Sequence, residues 1–444
     1  MIIKNRVCRK YTKFTISEIC GKIYNKGGYC MKKGFAFKKV LVILMSFILF
    51  ASNIVSCGTN VEELSNSNFI YEVSEITIPE EVKIVGLGEA SHGASELQIL
   101  KGDVFKTLVK NNGCRVFAIE GDFGGAAIVD EYIHGGEGTA EEAVSEIGFM
   151  IYKTEEMAEL VQWMREYNET AAEGEDIHFV GFDMQRFDNN KKLLFTYLSE
   201  VMPDVATEYE DKLKALTDDD MYDLKKEIFK EAEDDITELM SLMEEKIPDE
   251  KKDSEYKFAL ECAQSILDNV ILQSDSTNYN SIRDKAMENK VQWICNEYDG
   301  LIFINGHNGH ISKKSALGYV NMGEQLAERY KDKYFIIGTD VATCEFNGQS
   351  GDDYKVFTVN NENALTGQFE YLDKDMYYID FSTVKEDNKW AEVINEPKNM
   401  LSLNVSFSSW QKFLKLMYTQ SVTPGESYDA VIVLKNTTPT KFFD

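Results

Sequence analysis

Four short apolar runs in this chain each lead into a side chain able to do chemistry, and amphipathic segments separate them. Lys83 to Leu87 leads into Gly88-Glu89, and Arg115 to Ile119 ends on Glu120. His178 to Phe182 ends on Asp183, and Leu301 to Ile304 leads into Asn305-Gly306-His307. Runs this short fit strands buried on both faces. Between them, Leu97, Leu100, Val104 and Leu108 recur at helical spacing, and helices are predicted over 124–133, 155–170 and 313–330. Tyr334 to Gly338 and Ala430 to Leu434 read as further strands. The alternation predicts an α/β fold, a mostly parallel central sheet flanked by helices. In such sheets, groups just past the carboxyl ends of strands gather in one crevice.

Residues 1–56 are set apart from this fold. Lys32, Lys33, Lys38 and Lys39 precede an apolar run from Val40 to Ala51, the basic and apolar regions of a secretory signal. The run is shorter than the about 20 residues of a membrane span. Ile54-Val55-Ser56-Cys57-Gly58 resembles the bacterial lipobox. It predicts lipidation of Cys57 and an extracytoplasmic domain anchored to the cell membrane there; a plain secretory signal or an uncleaved anchor is the alternative. Met31 heads this signal, so 1–30 reads as an extension from a misplaced start. Residues 57–80 are expected to be a tether and 81–444 a catalytic domain. Within it, 205–275 is rich in Glu, Asp, Lys, Leu and Met. Leu213, Leu216, Leu239, Leu242 and Met243 form one stripe, which predicts a helical insertion capping the active site.

The formal net charge is −28, and the basic leader hides a more acidic remainder. Such a surface repels nucleic acid and leaves a small-molecule substrate. Cys114, Cys262, Cys295 and Cys344 form no CxxC pair, so isolated thiols are expected, with one disulfide as the alternative.

Three of the five histidines stand in two of the strand-end motifs. Glu89 and His92 share one side if the turn after the strand is helix-like. A carboxylate beside imidazole raises its basicity and fixes its tautomer, which suits a general base acting on water. Glu120, directly after a strand, needs a partner and is expected in the same crevice. Asp122 reads as a helix cap. His307 and His310, with Asn308, can donate hydrogen bonds to a developing oxyanion. Asp183 and Gln185 are candidates for substrate contact or support. Arg165 reads as bracing its helix, with a role in the site as the alternative. His134 reads as a helix end and His178 as a strand start. No Gly-x-Ser-x-Gly elbow is present, and Gly348-Gln349-Ser350-Gly351 misses it by one position. Ser91 remains a lesser candidate nucleophile. Glu89, His92, Glu120, His307 and His310 are also acceptable zinc or manganese ligands, so a metal-dependent hydrolase is the rival. A non-catalytic, glycan- or envelope-related binding lipoprotein is a third reading.

Several of these residues recur in a longer pattern. Gly88-Glu89-Ala90-Ser91-His92-Gly93 is followed by Glu120, then by Thr154-Glu155-Glu156 leading to Trp163-Met164-Arg165-Glu166-Tyr167-Asn168. Gly181-Phe182-Asp183-Met184-Gln185, Arg283-Asp284 with Met287, His307-Asn308-Gly309-His310, Met322-Gly323 with Leu326, and Tyr428-Asp429-Ala430 come after. This order resembles the erythromycin esterase family and its succinoglycan-biosynthesis-like relatives. The resemblance implies hydrolysis of a macrolide lactone or related ester by water, with no acyl-enzyme, no metal and no cofactor. It places the general base on His92, the supporting carboxylates on Glu89 and Glu120, and the second histidine on His307 with His310 close by. Where esterase members carry an arginine, Lys101 stands here. Lysine keeps the charge but loses the planar fork, so its grip on a carboxylate differs and erythromycin itself is not implied.

Overall fold

A computed structural model describes residues 61–275 and 277–443. The proposed leader, the start at Met31 and the lipid site Cys57 lie outside the described residues. No helix among the described residues is long and apolar enough to cross a membrane.

The strands are β1 (Ile84–Glu89), β2 (Val116–Asp122), β3 (His178–Asp183), β4 (Ile302–His307), β5 (Tyr334–Ser350), β6 (Asp353–Asn360), β7 (Met376–Asp380), β8 (Lys398–Leu401), β9 (Thr419–Val422) and β10 (Ala430–Thr437). The central sheet runs β3-β2-β4-β1-β5-β10-β7, parallel except for β7, with β6 antiparallel to β5. Alternate residues of its strands face two different cores. Val85, Leu87, Phe117, Ile119, Phe179 and Phe303 pack on one side. Ile84, Val116, Ala118, Val180, Ile302 and Ile304 pack on the other. Burial on both faces is why these strands read as continuous apolar runs rather than alternating ones.

Helices α1 (Ser95–Asn112), α2 (Phe123–Ile133), α3 (Ala140–Ser145) and α4 (Glu155–Asn168) follow β1 and β2. Next come α5 (Asp188–Val201), α6 (Pro203–Lys212), α7 (Lys226–Lys246), α8 (Ser254–Ser274) and α9 (Tyr279–Glu297). The predicted insertion is thus helical. Leu213, Leu216, Leu239 and Met243 are buried, and Leu242 packs against them half-buried. Its helices rest on α5 and α9, and it supplies none of the hydrogen bonds to the site carboxylates and histidines described below.

Three expectations need correction. Residues 61–80 are no free tether: Leu64, Phe69, Ile76 and Ile78 are buried, and Ile70 pairs with Tyr378. Taking these four large apolar side chains out of water favours a docked segment over a loose linker. The helix predicted over 313–330 is only α11 (Met322–Tyr330), preceded by the single turn α10 (Asn308–Ile311). Gly318 adopts a left-handed φ of 83°, and Asn321 caps α11 by accepting the Glu324 N–H at 2.8 Å. The strand from Tyr334 continues to Ser350 and turns at Gly351 into β6. All four described cysteines are free thiols.

Candidate active site

The site lies where the chain reverses direction across the sheet. From β1 the chain crosses past β4 to β2, and from β4 it crosses past β1 to β5. The crevice between β1 and β4 is therefore a topological switch point, where parallel sheets leave room for ligands. The parallel register sets Gly88 beside Gly306 and Glu89 beside His307. On the other side of β4, Ile119 pairs with Asn305, which brings Glu120 alongside Gly306. A side chain at Gly306 would put its Cβ 3.0 Å from Glu120 Oε2. Glycine there lets the carboxylate in to accept the His307 backbone N–H at 2.7 Å. Residues separated by some two hundred positions thus meet at one edge.

Glu89 is buried and fully engaged. Its Oε2 faces Lys101 Nζ at 3.2 Å and His92 Nδ1 at 3.3 Å, and its Oε1 accepts from Gln98 Nε2 at 2.8 Å. Gln98 Nε2 also donates to the His92 carbonyl at 2.9 Å, tying the turn to α1. Burial pushes the Glu89 carboxyl up, but Lys101 and His92 outweigh it and hold it below the usual carboxylate range. Lys101, entirely buried, lies over the Tyr152 ring, and desolvation lowers its pKa against the pull of Glu89.

Glu120 and Asp183 share one cation. Arg283, on α9, donates from Nη2 to Glu120 Oε1 at 2.7 Å and to Asp183 Oδ2 at 2.6 Å, with Nε 3.2 Å from both Asp183 oxygens. Gln185 Nε2 donates to Asp183 at 2.6 Å, and the Tyr279 hydroxyl donates to Gln185 at 2.7 Å. The Glu120 carboxyl is raised by burial and then driven far down by His310, Arg283 and His92. Asp122 caps α2, accepting the Gly125 N–H at 2.8 Å, as read from the sequence.

His307 and His310 occupy opposite electrostatic states. His92 and His307 face each other with ring centroids 5.3 Å apart, and His310 stands 6.3 Å beyond His307. His307 Nδ1 accepts the Gly309 N–H at 3.1 Å. The proton of a neutral ring is therefore on Nε2, which is buried with no hydrogen-bond partner among the described residues. Burial, aided by repulsion from His92, pushes the His307 pKa down to about 3, so the ring is neutral at working pH. His310 is the opposite. Burial lowers it, but Glu120 and Asp284 outweigh that and raise it above an ordinary histidine. Its Nδ1 is 2.9 Å from Asp284, and its Nε2 is 3.0 Å from Arg283 Nη1 and 3.5 Å from Glu120 Oε1. Both His310 nitrogens are thus occupied, whereas His307 keeps one free.

The structure brings together Glu89, His92, Lys101, Glu120, Asp183, Gln185, His307 and His310. For Arg165 the bracing role holds, and the alternative role in the site is corrected. Its Nη1 donates to the carbonyls of Tyr132 and Gly136, and the guanidinium stacks on Tyr132 at 4.4 Å. It braces the end of α2 and makes no contact with the site. His92 Nδ1 faces Glu89, and no hydrogen bond joins the Ser91 hydroxyl to His92 among the described residues, which leaves Ser91 without an activating base. Arg283 and Asp284 belong to the family pattern, but the sequence alone assigns them no role. The signal was an adjacent Arg-Asp pair on a helix that otherwise reads as amphipathic packing. Nothing in its spacing shows that Arg283 closes a contact 163 positions back. A metal ion between Glu89 and Glu120 would compete with Lys101 and Arg283, cations already seated on those carboxylates.

The Erythromycin esterase family matches this chain over residues 109–437. "Putative hydrolase YbfO" of Bacillus subtilis (strain 168) is 24% identical over 80% of this chain and 84% of its own length. A solved structure of a Bacillus cereus protein shares the fold with a TM-score of 0.72 at 24% identity, over 82% of this chain and 91% of that one. An erythromycin esterase mutant in its open conformation superposes with a TM-score of 0.58 at 17% identity, over 82% and 93% of the two chains. With a parallel sheet of this topology and a family match across most of its length, the chain belongs to the erythromycin esterase family.

Proposed function

We propose that this protein is a hydrolase that cleaves a carboxylic ester or macrolide lactone by direct attack of water. One observation carries the proposal: the neutral His307 ring presents a buried, unpartnered Nε2–H beside His92. His92 donates its Nδ1–H to Glu89, which leaves the Nε2 lone pair free to take a proton. Water adds to the ester carbonyl as Nε2 removes its proton. The developing oxyanion accepts a hydrogen bond from His307 Nε2–H, which keeps its proton. Collapse of the tetrahedral intermediate breaks the carbon–oxygen bond, and the His92 imidazolium returns its proton to the leaving alkoxide. The products are a carboxylic acid and an alcohol. Glu89, held ionised by Lys101, stabilises the imidazolium between these steps. Glu120, Arg283 and His310 anchor His307 through its backbone N–H.

The leader supports a place outside the cytoplasm, tethered to the membrane through Cys57, where the enzyme would meet a macrolide or an envelope ester. The loop after β8 exposes Trp410, Phe413, Leu414 and Leu416. It begins close to Leu403, which pairs with Ser91 next to His92. A loop that leaves from beside the base and carries exposed apolar side chains would suit an apolar substrate.

The test is a panel of 14-membered macrolides and acylated glycans, read by mass spectrometry for the gain of one water. His92→Gln is expected to lower turnover by about 10²–10⁴, and His307→Phe by about 10²–10³. Reaction in ¹⁸O-water should label the acid product in a single turnover. Turnover retained in folded His92→Gln, or a trapped acyl-enzyme, overturns the proposal.

A further inference from the structure

The two histidines outside the active site both meet Asp130. Asp130 and His134 are one turn apart at the C-terminal end of α2, on one helix face. His178 is the first residue of β3, so this cluster is at the far end of the strand from Asp183, about 16 Å away by strand rise. His134 Nδ1 is 3.6 Å from Asp130 Oδ2, and His178 Nδ1 is 3.6 Å from Asp130 Oδ1. The two imidazoles stack with centroids 5.0 Å apart. One donor atom from each of the three residues lies within 4.8 Å of the other two. Such separations are too long for hydrogen bonds but leave room for an ion between the donors.

A second observation points to a ligand. His178 Nδ1 is shut off from solvent and has no hydrogen-bond partner among the described residues. It faces the carboxylate without reaching it. Asp130 Oδ1 is meanwhile oriented by the Phe179 N–H at 2.7 Å, the kind of outer contact that fixes a ligating carboxylate. His134 Nδ1 sits 2.7 Å from the Asp130 carbonyl; its ring is half-exposed, free to exchange that hydrogen bond for a coordinate bond.

We propose that Asp130, His134 and His178 bind one divalent first-row transition-metal ion, with water completing its shell. Two imidazoles and one carboxylate suit Zn²⁺ or Co²⁺; Ca²⁺ and Mg²⁺ favour sites built from oxygen ligands. The strongly acidic protein raises the local concentration of any cation. The bound ion would clamp the end of α2 to the start of β3, a cross-brace independent of the catalytic groups.

The full chain, stripped with chelator, is titrated with Co²⁺ and then with Zn²⁺. One equivalent should bind, with visible Co²⁺ bands that Zn²⁺ abolishes and a rise in Tm. Affinity should fall at least ten-fold in His134→Ala and in His178→Asn, and stay unchanged in His92→Gln. His134 lies at the surface, so its alanine variant keeps the test alive if His178→Asn fails to fold. Absence of saturable binding, binding that survives His134→Ala, or binding lost in His92→Gln overturns the proposal.

Discussion

The neutral state of His307 makes a prediction that can be worked through. An exposed histidine titrates near 6.5, whereas His307 is pushed down to about 3. The unfolded chain therefore binds a proton at this position between those values and the folded chain does not. Stability rises with pH wherever the unfolded state holds more protons, so this group lowers stability as pH falls below 6.5. Between pH 7.5 and pH 5.0 the loss comes to about 2 kcal/mol, at 1.36 kcal/mol per pH unit below the unfolded pKa. His307→Gln keeps a side-chain N–H donor but does not titrate. Urea unfolding at the two pH values should show wild type losing about 2 kcal/mol more than the variant. With five histidines in the chain, ¹⁵N ring spectra can follow His307 directly; the Nε2–H tautomer should persist at pH 5.0. Equal losses in both proteins, or a ring that titrates above pH 6, would refute a buried neutral donor and with it the oxyanion role.

Lys101→Met strips Glu89 of its buried cation and should destabilise by about 3–5 kcal/mol in thermal or urea unfolding. Glu89→Gln with Lys101→Met should recover most of that stability without recovering ester hydrolysis; recovered turnover would mean that Glu89 plays no part. Gly88→Ala sets a Cβ 2.0 Å from Asn308 Oδ1, which accepts the Thr339 N–H, and should cost about 1–3 kcal/mol in Tm measurements. Arg165→Ala should lower Tm through the lost contacts to Tyr132 and Gly136 while leaving kcat/KM intact, and a selective fall in kcat would restore it to the site.

The local pieces were legible because each rests on local physics. Glu120 and Asp183 read as groups at strand ends, and Asp122 as a cap, because burial and backbone satisfaction act within a few residues. The limits are as specific. The stretch 313–321 carried helical periodicity yet is loop, since Gly318 and the Asn321 cap decide the boundary. Residues 61–80 carry apolar side chains about as often as the rest of the chain, but only a packed domain gives Leu64, Phe69, Ile76 and Ile78 a place.

By itself the sequence determined the parallel α/β architecture, the strand ends that carry the acids and imidazoles, and the family pattern. These follow from burial and periodicity, which neighbouring residues impose on one another. The tertiary structure alone decided which nitrogen of His307 holds the proton, why His310 is engaged on both sides, and that Arg283 joins Glu120 to Asp183. Those outcomes depend on desolvation and on charges brought within a few ångströms from distant parts of the chain, and both arise only when the sheet has assembled.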